Sequence, residues 1–336
     1  MDLASISMPL RLEYRHYRRP FARPLRTSGG SWSIREGLII RIENEDSGMR
    51  QYGEVAPLPE FGTESLDEAR QFLDKLEQKL TKGKIESAIK DAPPASAFGM
   101  WAASSEPVRS TSVASSALIS LGEFSRENIE SLSARGFESF KIKVGSDDPE
   151  KTWRSLESVL ASLSTNQTLR LDPNRSWNKD LWAFWKPRLA KVSAQVEYLE
   201  EPFLPETPMD EWIHEAADSP VPLALDESLS NGSIKDWYDH NWPGYWIIKP
   251  SLLGRPSGWL SLLDKHKGKV ILSSAFETGI GLSSLVMFSR SLSPCIHGLG
   301  TQEFFDDEMG TKKTGAIITC LSLEEQEEIW NRLSKN

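Results

Sequence analysis

Six polar positions recur through the middle of this chain at the interval of one strand-and-helix unit. They are Lys143, Asp172, Glu200, Asp226, Lys249 and Ser273, spaced 29, 28, 26, 23 and 24 residues apart. Each follows a short apolar run, as in Leu171-Asp172-Pro173-Asn174, Leu199-Glu200-Glu201-Pro202, Leu225-Asp226-Glu227-Ser228, Ile248-Lys249-Pro250 and Ser273-Ser274 ahead of Glu277. Three carboxylates gathered from successive strands repel one another, and a hard divalent cation relieves that repulsion. Mg²⁺ suits one carboxylate oxygen from each of three residues, with substrate or water completing an octahedron. Lysines on either side would suit proton abstraction next to a metal-bound carboxylate, and charged neighbours with partial burial are expected to lower such a lysine's pKa towards the working range. Taken singly, Asp172 or Asp226 could be a helix N-cap, and Glu200-Glu201-Pro202 or Lys249-Pro250 a solvated loop. The ordered set is what points to a site, because surface charge has no reason to recur at strand ends.

The elements that must carry these residues alternate. Val113 to Ile119, Phe137 to Val144, Thr168 to Leu171, Val196 to Leu199, Pro222 to Leu225, Tyr245 to Ile248 and Val270 to Ser273 are short apolar strands. Amphipathic segments separate them at Pro149 to Leu163, Lys179 to Val192, Met209 to Ala217, Ile234 to His240 and Ser257 to His266. Near-continuous apolar strands with helical crossovers imply a parallel sheet, and this many units favour a closed (β/α) barrel whose strand carboxyl ends meet at one mouth. A doubly wound sheet shares the texture but gives no reason for the strand-end residues. Along Phe140-Lys141-Ile142-Lys143-Val144-Gly145 the period of two puts both lysines on one face. On a wet edge strand that face would be solvated; in a barrel it faces the acids.

Ahead of the barrel lies a different texture. Leu10 to Arg19, Gly37 to Ile42 and Gln51 to Ala56 read as an antiparallel meander. Pro24 to Trp32 between them reads as a Gly/Ser loop with one aromatic, a candidate lid. Thr63 to Asp67 holds a helix N-cap cluster, with apolar spacing from Ala69 through Leu80 predicting a helix to about Thr81, and a second helix over Ala95 to Ala103. The expected organisation is an α+β lobe over 1–108, a barrel over 109–310 and a C-terminal segment over 311–336.

With 48 acidic against 39 basic residues, net charge −9 and pI near 5.3, the chain lacks the clustered cations that nucleic acid or an anionic membrane surface requires. Two cysteines, Cys295 and Cys320, make neither a disulfide framework nor a structural zinc site. Met1 to Pro9 lacks the pattern of a secretory leader, and no apolar run is long enough to cross a bilayer. The expectation is a soluble, cytoplasmic protein. High Trp content, 12 residues, is expected to serve packing, with Trp177, Trp182, Trp185 and Trp246 between helices and sheet.

Lys-x-Lys on one strand, then Leu-Asp-x-Asn, Glu-Glu-Pro, Asp-Glu-Ser and Lys-Pro in that order, resembles the enolase superfamily in its muconate lactonising enzyme subgroup. Within it, Pro24 to Trp32, Arg35-Glu36-Gly37, Gly53 to Pro59 and Leu169 to Trp177 resemble segments of the o-succinylbenzoate synthase family. The resemblance covers nearly the whole chain. It implies a (β/α)₇β barrel with an N-terminal α+β capping domain and a C-terminal segment that completes the barrel and returns to the cap. It implies Asp172, Glu200 and Asp226 as ligands of Mg²⁺, with Mn²⁺ as a substitute ion. Lys143 would be the catalytic acid/base and Lys249 the opposing catalytic cation. Lys141, Arg170, Ser273 and Ser274 would contact a small-molecule carboxylate, and Asn174 would support the ligand set. The implied reaction is the dehydration of 2-succinyl-6-hydroxy-2,4-cyclohexadiene-1-carboxylate to o-succinylbenzoate in menaquinone or phylloquinone biosynthesis. N-succinylamino acid racemisation, or another isomerisation on the same machinery, is the alternative. Dipeptide epimerases of the subgroup carry Asp-x-Asp near the last barrel strand, where this chain reads His297-Gly298-Leu299-Gly300-Thr301. Gly300 stands where many synthases carry Asp, and His297 is expected to pack or cap rather than catalyse.

Overall fold

A computed structural model describes residues 9–27, 30–77, 79–106, 111–121, 126–145, 148–230, 234–311 and 315–334. The expected absence of a leader therefore concerns residues outside this description apart from Pro9, and the 108/109 boundary also lies outside it.

The N-terminal sheet is antiparallel, in the order β3-β2-β1-β4, from β1 (Leu10–Thr27), β2 (Gly30–Asn44), β3 (Arg50–Val55) and, after the helix α1 (Leu66–Asp74), β4 (Lys79–Leu80). The Gly/Ser loop expected over Pro24 to Trp32 is instead a paired extension of the first hairpin. Leu25 opposes Trp32, Arg26 opposes Ser31 and Thr27 opposes Gly30, with residues 28–29 outside the described set. Pro20 and Pro24 suggest a loop because neither offers a ladder N–H, but a register shift between Pro20 and Leu25 absorbs them.

Ser65 and Glu68 close a reciprocal capping box on α1. The helix ends at Asp74 rather than near Thr81, because Leu80 buries itself by pairing with Leu10 in the sheet. Two further helices, α2 (Lys82–Asp91) and α3 (Pro94–Ser104), follow, the first of which the sequence reading lacked. A Cβ added to Gly53 on β3 would stand 2.1 Å from the Gly99 carbonyl oxygen of α3, so glycine sets the approach of helix to sheet.

Seven parallel strands in the order β12-β11-β10-β9-β8-β7-β6 form the second body. The run Val113 to Ile119 divides. β5 (Ser112–Ala114) leaves to pair antiparallel with β13 (Ile317–Thr319), and only β6 (Ala117–Ile119) joins the parallel sheet. Then come α4 (Arg126–Ala134), β7 (Ser139–Lys143), α5 (Pro149–Leu160), β8 (Thr168–Asp172), α6 (Lys179–Lys191), β9 (Val196–Glu200), α7 (Met209–Asp218), β10 (Leu223–Leu225), α8 (Ile234–Asp239), β11 (Tyr245–Ile248), α9 (Pro250–Leu253) and β12 (Val270–Leu272). Ser257 to His266, expected as an ordinary amphipathic helix, is instead wound as 3₁₀ turns over Pro256–Gly258 and Leu260–Lys269. Pro256, Gly258 and Gly268 leave no long uninterrupted run there.

His297 and Gly298 close the ring between β12 and the chain entering β6. Gly298 N–H donates to Leu272 O (2.7 Å) and Ser116 N–H to His297 O (2.8 Å), with bridges Ser273 to Gly298 and Ser115 to His297. Outside the barrel, Trp177, Trp182 and Trp185 stack against one another among buried helix residues, and Trp246 is fully buried with them.

Two helices join the bodies. Nearly every residue of α10 (Gly279–Ser289) is buried, and α11 (Leu323–Arg332) returns to the N-terminal sheet, packing Ile329 and Trp330 against Tyr17, Ile39 and Tyr52. Arg15 lies over the Trp330 ring and donates to its carbonyl (2.6 Å). Among the described residues no helix is long and apolar enough to cross a membrane, and both cysteines are free.

Candidate active site

Within the barrel, Tyr198, Ala224, Ile247 and Ile271 form a buried apolar layer. Two residues further along the same strands, on the same face, stand Glu200, Asp226, Lys249 and Ser273. Lys141 with Lys143 on β7 and Arg170 with Asp172 on β8 repeat the step. These polar residues, with Tyr198, Ile247 and Ile271 beneath them, line one cavity of about 960 Å³. Every candidate residue from the sequence is therefore at the same mouth, including Asn174 and Ser274.

The acids and two of the lysines are interleaved. Lys141 Nζ donates to Glu200 Oε1 (2.5 Å) and lies 3.0 Å from Asp172 Oδ2, while Lys249 Nζ reaches both oxygens of Asp226 (2.6 and 2.5 Å). Burial alone would pull both lysines down. For Lys141, Asp172, Glu200 and Asp226 outweigh it, and for Lys249, Asp226 and Glu227 do, so both rise above the ordinary lysine value. The expected lowering is thus reversed for these two, because each is held by carboxylates rather than by like charge. Lys143, one pleat nearer the rim, is exposed and lines the cavity. Burial holds the Glu200 carboxyl well above its usual range, eased by Lys141 and reinforced by Asp172 and Asp226; Asp226 is lowered despite burial by Lys249 and Lys141.

Among the described residues, the acids do not stand as a ready ligand cluster, since ammonium groups lie between them. They nonetheless fit a hard cation. Glu200 is 2% exposed, and its Oε2 is buried with no hydrogen-bond partner in the described structure. An oxygen of that kind, flanked by carboxylates from both neighbouring strands, has the donor chemistry Mg²⁺ takes.

The other candidates differ in what they have free. Arg170 is fully buried; its Nε and Nη2 hold Glu197 (2.7 and 3.0 Å), Nη2 also reaches Ile296 O (2.6 Å), and only Nη1 is without a partner among the described residues. Ser274, expected to contact substrate, has its hydroxyl committed. It donates to Glu277 Oε2 (2.5 Å) and lies 2.7 Å from Thr301 Oγ1, while accepting from Phe276 N–H (3.2 Å). Its neighbour Ser273 keeps a place on the cavity wall. Asn174 supports Asp172 through its main chain, N–H to Oδ1 at 2.8 Å. His297 packs: Nδ1 accepts from Leu272 N–H (3.1 Å), and burial with Arg170 nearby lowers its pKa to about 4. At Gly300 a Cβ would meet Ser116 O at 3.0 Å, a tight fit for any side chain.

Sequence reasoning missed the cavity's apolar side. Trp32 from the hairpin packs edge-on to Phe61 and Phe276, and Phe276 likewise to Phe304. Phe276 has φ +66, a conformation no local pattern announces in an aromatic residue. Also missed were the polar ties between the two bodies. Arg19 holds Asp307 (2.7 Å) and Glu277 O (2.9 Å), Arg35 holds Ala56 O and Ala275 O, and Glu54 accepts from Thr278 N–H (2.8 Å) and Gly281 N–H (3.1 Å) at the start of α10. Buried arginine beside a Gly-Glu-x-Ala run was the only available signal.

Comparison with known proteins places this architecture. Residues 124–239 match the family "Enolase C-terminal domain-like", and residues 13–107 match "MenC, N-terminal domain". The o-succinylbenzoate synthase of Thermosynechococcus vestitus is 32% identical, covering 97% of this chain and all of that one; that of Pectobacterium atrosepticum is 28% identical over 88% and 91%. Among solved structures, the o-succinylbenzoate synthase from Thermosynechococcus elongatus BP-1, complexed with Mg in the active site, superposes with TM-score 0.81 at 30% identity, covering 96% of this chain and 100% of that one. The L-Ala-D/L-Glu epimerase from Bacillus subtilis, at TM-score 0.75 and 17% identity over 93% and 96%, shares the fold.

Proposed function

The chain belongs to the o-succinylbenzoate synthase family of the enolase superfamily, and we propose that it is a hydro-lyase performing the syn dehydration of 2-succinyl-6-hydroxy-2,4-cyclohexadiene-1-carboxylate to o-succinylbenzoate. The observation that carries the reading is the ring of lysines and carboxylates at successive strand ends, facing an aromatic wall across one cavity. Asp172, Glu200 and Asp226 would hold Mg²⁺, and Mn²⁺ could replace it, since both favour oxygen ligands. When bound, the ion supplies positive charge beside the substrate carboxylate.

The remaining work falls to side chains. Lys143, exposed to the cavity, takes the proton α to the ring carboxylate and, as an ammonium, returns it to the departing hydroxyl on the same face, so that water leaves and the ring becomes aromatic. Lys249, kept cationic by Asp226 and Glu227, places charge opposite the developing anion. Lys141 balances Glu200 and Asp172. Arg170 Nη1 and Ser273 are the polar contacts for substrate, while Ser274 braces that wall. Trp32, Phe61, Phe276 and Phe304 suit the ring and exclude water.

The division 1–108, 109–310 and 311–336 assigns cap, barrel and returning segment. A small carboxylate substrate, a quinone-biosynthetic role and a cytoplasmic setting complete the reading. The alternative, N-succinylamino acid racemisation or another isomerisation on the same machinery, is not favoured, since the relatives compared above at 28–32% identity are o-succinylbenzoate synthases. Incubation with the cyclohexadiene substrate and Mg²⁺ should yield the aromatic product, and a chelator should stop it. No product, together with α-proton exchange of N-succinylamino acids in deuterated buffer, would transfer the assignment to the isomerases.

A further inference from the structure

The three chain segments at the acids, where β8, β9 and β10 end, are fastened to one another at a single residue. Glu201 is fully buried, next in sequence to Glu200, and its backbone is turned to φ +42, a strained value for a side-chain-bearing residue. Its carboxylate grips the loop after β10. Oε1 accepts from Asp226 N–H and Ser228 N–H (both 2.8 Å), and Oε2 accepts from Ser228 Oγ (3.0 Å). Its carbonyl grips the loop after β8, accepting from Arg175 N–H (2.7 Å), and the Arg175 Nε lies 3.6 Å from Oε2. On that β8 loop Asn174 and Arg175 are turned to φ +55 and +58, and Asn174 N–H holds Asp172 Oδ1.

Left-handed geometry at three non-glycine residues persists only where surroundings over-determine it, and here the surroundings are these bonds. We propose that Glu201 is a positioning residue that sets the mutual spacing of Asp172, Glu200 and Asp226. It makes no use of its own charge at the reacting atoms; it fixes where the loops on either side begin. This inference rests on the reading that those three acids hold the cation.

The test measures Mg²⁺ binding by isothermal titration calorimetry on the purified chain, with thermal unfolding in chelator as a separate readout. Glu201→Ala removes the three hydrogen bonds to the carboxylate and its contact with Arg175, and should weaken Mg²⁺ binding about 10- to 100-fold, the usual effect of losing support behind metal ligands. Glu201→Asp keeps the charge but falls short of one loop, and should weaken binding about 10-fold even if the alanine variant does not fold. Glu201→Gln keeps an oxygen for both N–H donors and should bind within a few-fold of the unaltered chain. In steady-state turnover, the aspartate variant should need more Mg²⁺ while approaching the unaltered kcat at saturation.

If Glu201→Asp binds Mg²⁺ as the unaltered chain does while unfolding at lower temperature, Glu201 is structural only and the proposal fails. If Asp172→Asn, Glu200→Gln and Asp226→Asn all leave Mg²⁺ binding unchanged, the ligand reading itself fails, which the Glu201 variants alone would not show.

Discussion

Lys143 and Lys141 are two residues apart on one face of β7, yet their surroundings separate them. Lys141 is spent on Glu200 and Asp172, while Lys143 stands exposed at the rim and has no such clamp among the described residues. On the proposed mechanism Lys143→Ala should lower kcat by two to four orders of magnitude, the range for a lost general acid/base, with Mg²⁺ affinity by calorimetry essentially unchanged. Retained turnover would remove it as the base. His297 supports a prediction of a different kind. Its folded pKa, lowered to about 4 by burial and Arg170, lies below the ordinary 6.5, so the unfolded chain binds more protons between those values. Its contribution is fully present above pH 6.5 and is lost as pH falls towards 4, by about 3 kcal/mol in all. In urea unfolding across that window, His297→Asn, whose amide oxygen can replace Nδ1 as acceptor, should flatten the pH dependence. An unchanged slope would show that other groups set it. The residue types of the site were legible because each acid or lysine closes an apolar strand. For Ser274 the sequence was silent on one point, since nothing in Ser273-Ser274 says which hydroxyl Glu277 and Thr301 will claim.

At the scale of elements, the strands were read well where burial is continuous and poorly where pairing is long-range. Leu80 fits helical spacing from Ala69 as well as it fits a strand, and only Leu10, 70 positions earlier, decides the matter. Pro24 to Trp32 carries loop chemistry, yet Leu25, Arg26 and Thr27 pair with Trp32, Ser31 and Gly30 across the first hairpin. The approach of α3 to the sheet is set by absence of a side chain. Gly53→Ala would drive a methyl to within 2.1 Å of the Gly99 carbonyl oxygen, and either β3 or α3 must move. A loss of roughly 1–3 kcal/mol is expected in chemical denaturation, as for other overpacked sites. Because α3 also packs beside α9 of the barrel, the cost should come with a raised KM rather than stability loss alone.

The whole molecule is held together by its last helix as much as by the barrel. Trp330 is 1% exposed, lies under Arg15 and Arg41, and fills the space between the cap sheet and α10. Trp330→Ala should destabilise the chain by about 3–5 kcal/mol in urea unfolding, the cost of an unfilled aromatic site. Less than about 1 kcal/mol would mean that α11 can leave without disturbing the cap. The sequence by itself determined the parallel strands, their order, and the acids and lysines at their ends. Those properties are local and periodic: an apolar run, a polar stop, and a helix before the next. Tertiary structure alone decided which lysines the acids hold, which serine Glu277 engages, how a two-residue bridge at His297 and Gly298 closes the ring, and which aromatics from the hairpin, the Leu58–Phe61 stretch and the loop after β12 face the site. Each depends on groups far apart in the chain competing for the same hydrogen bonds or the same volume, and no local pattern records the outcome of that competition.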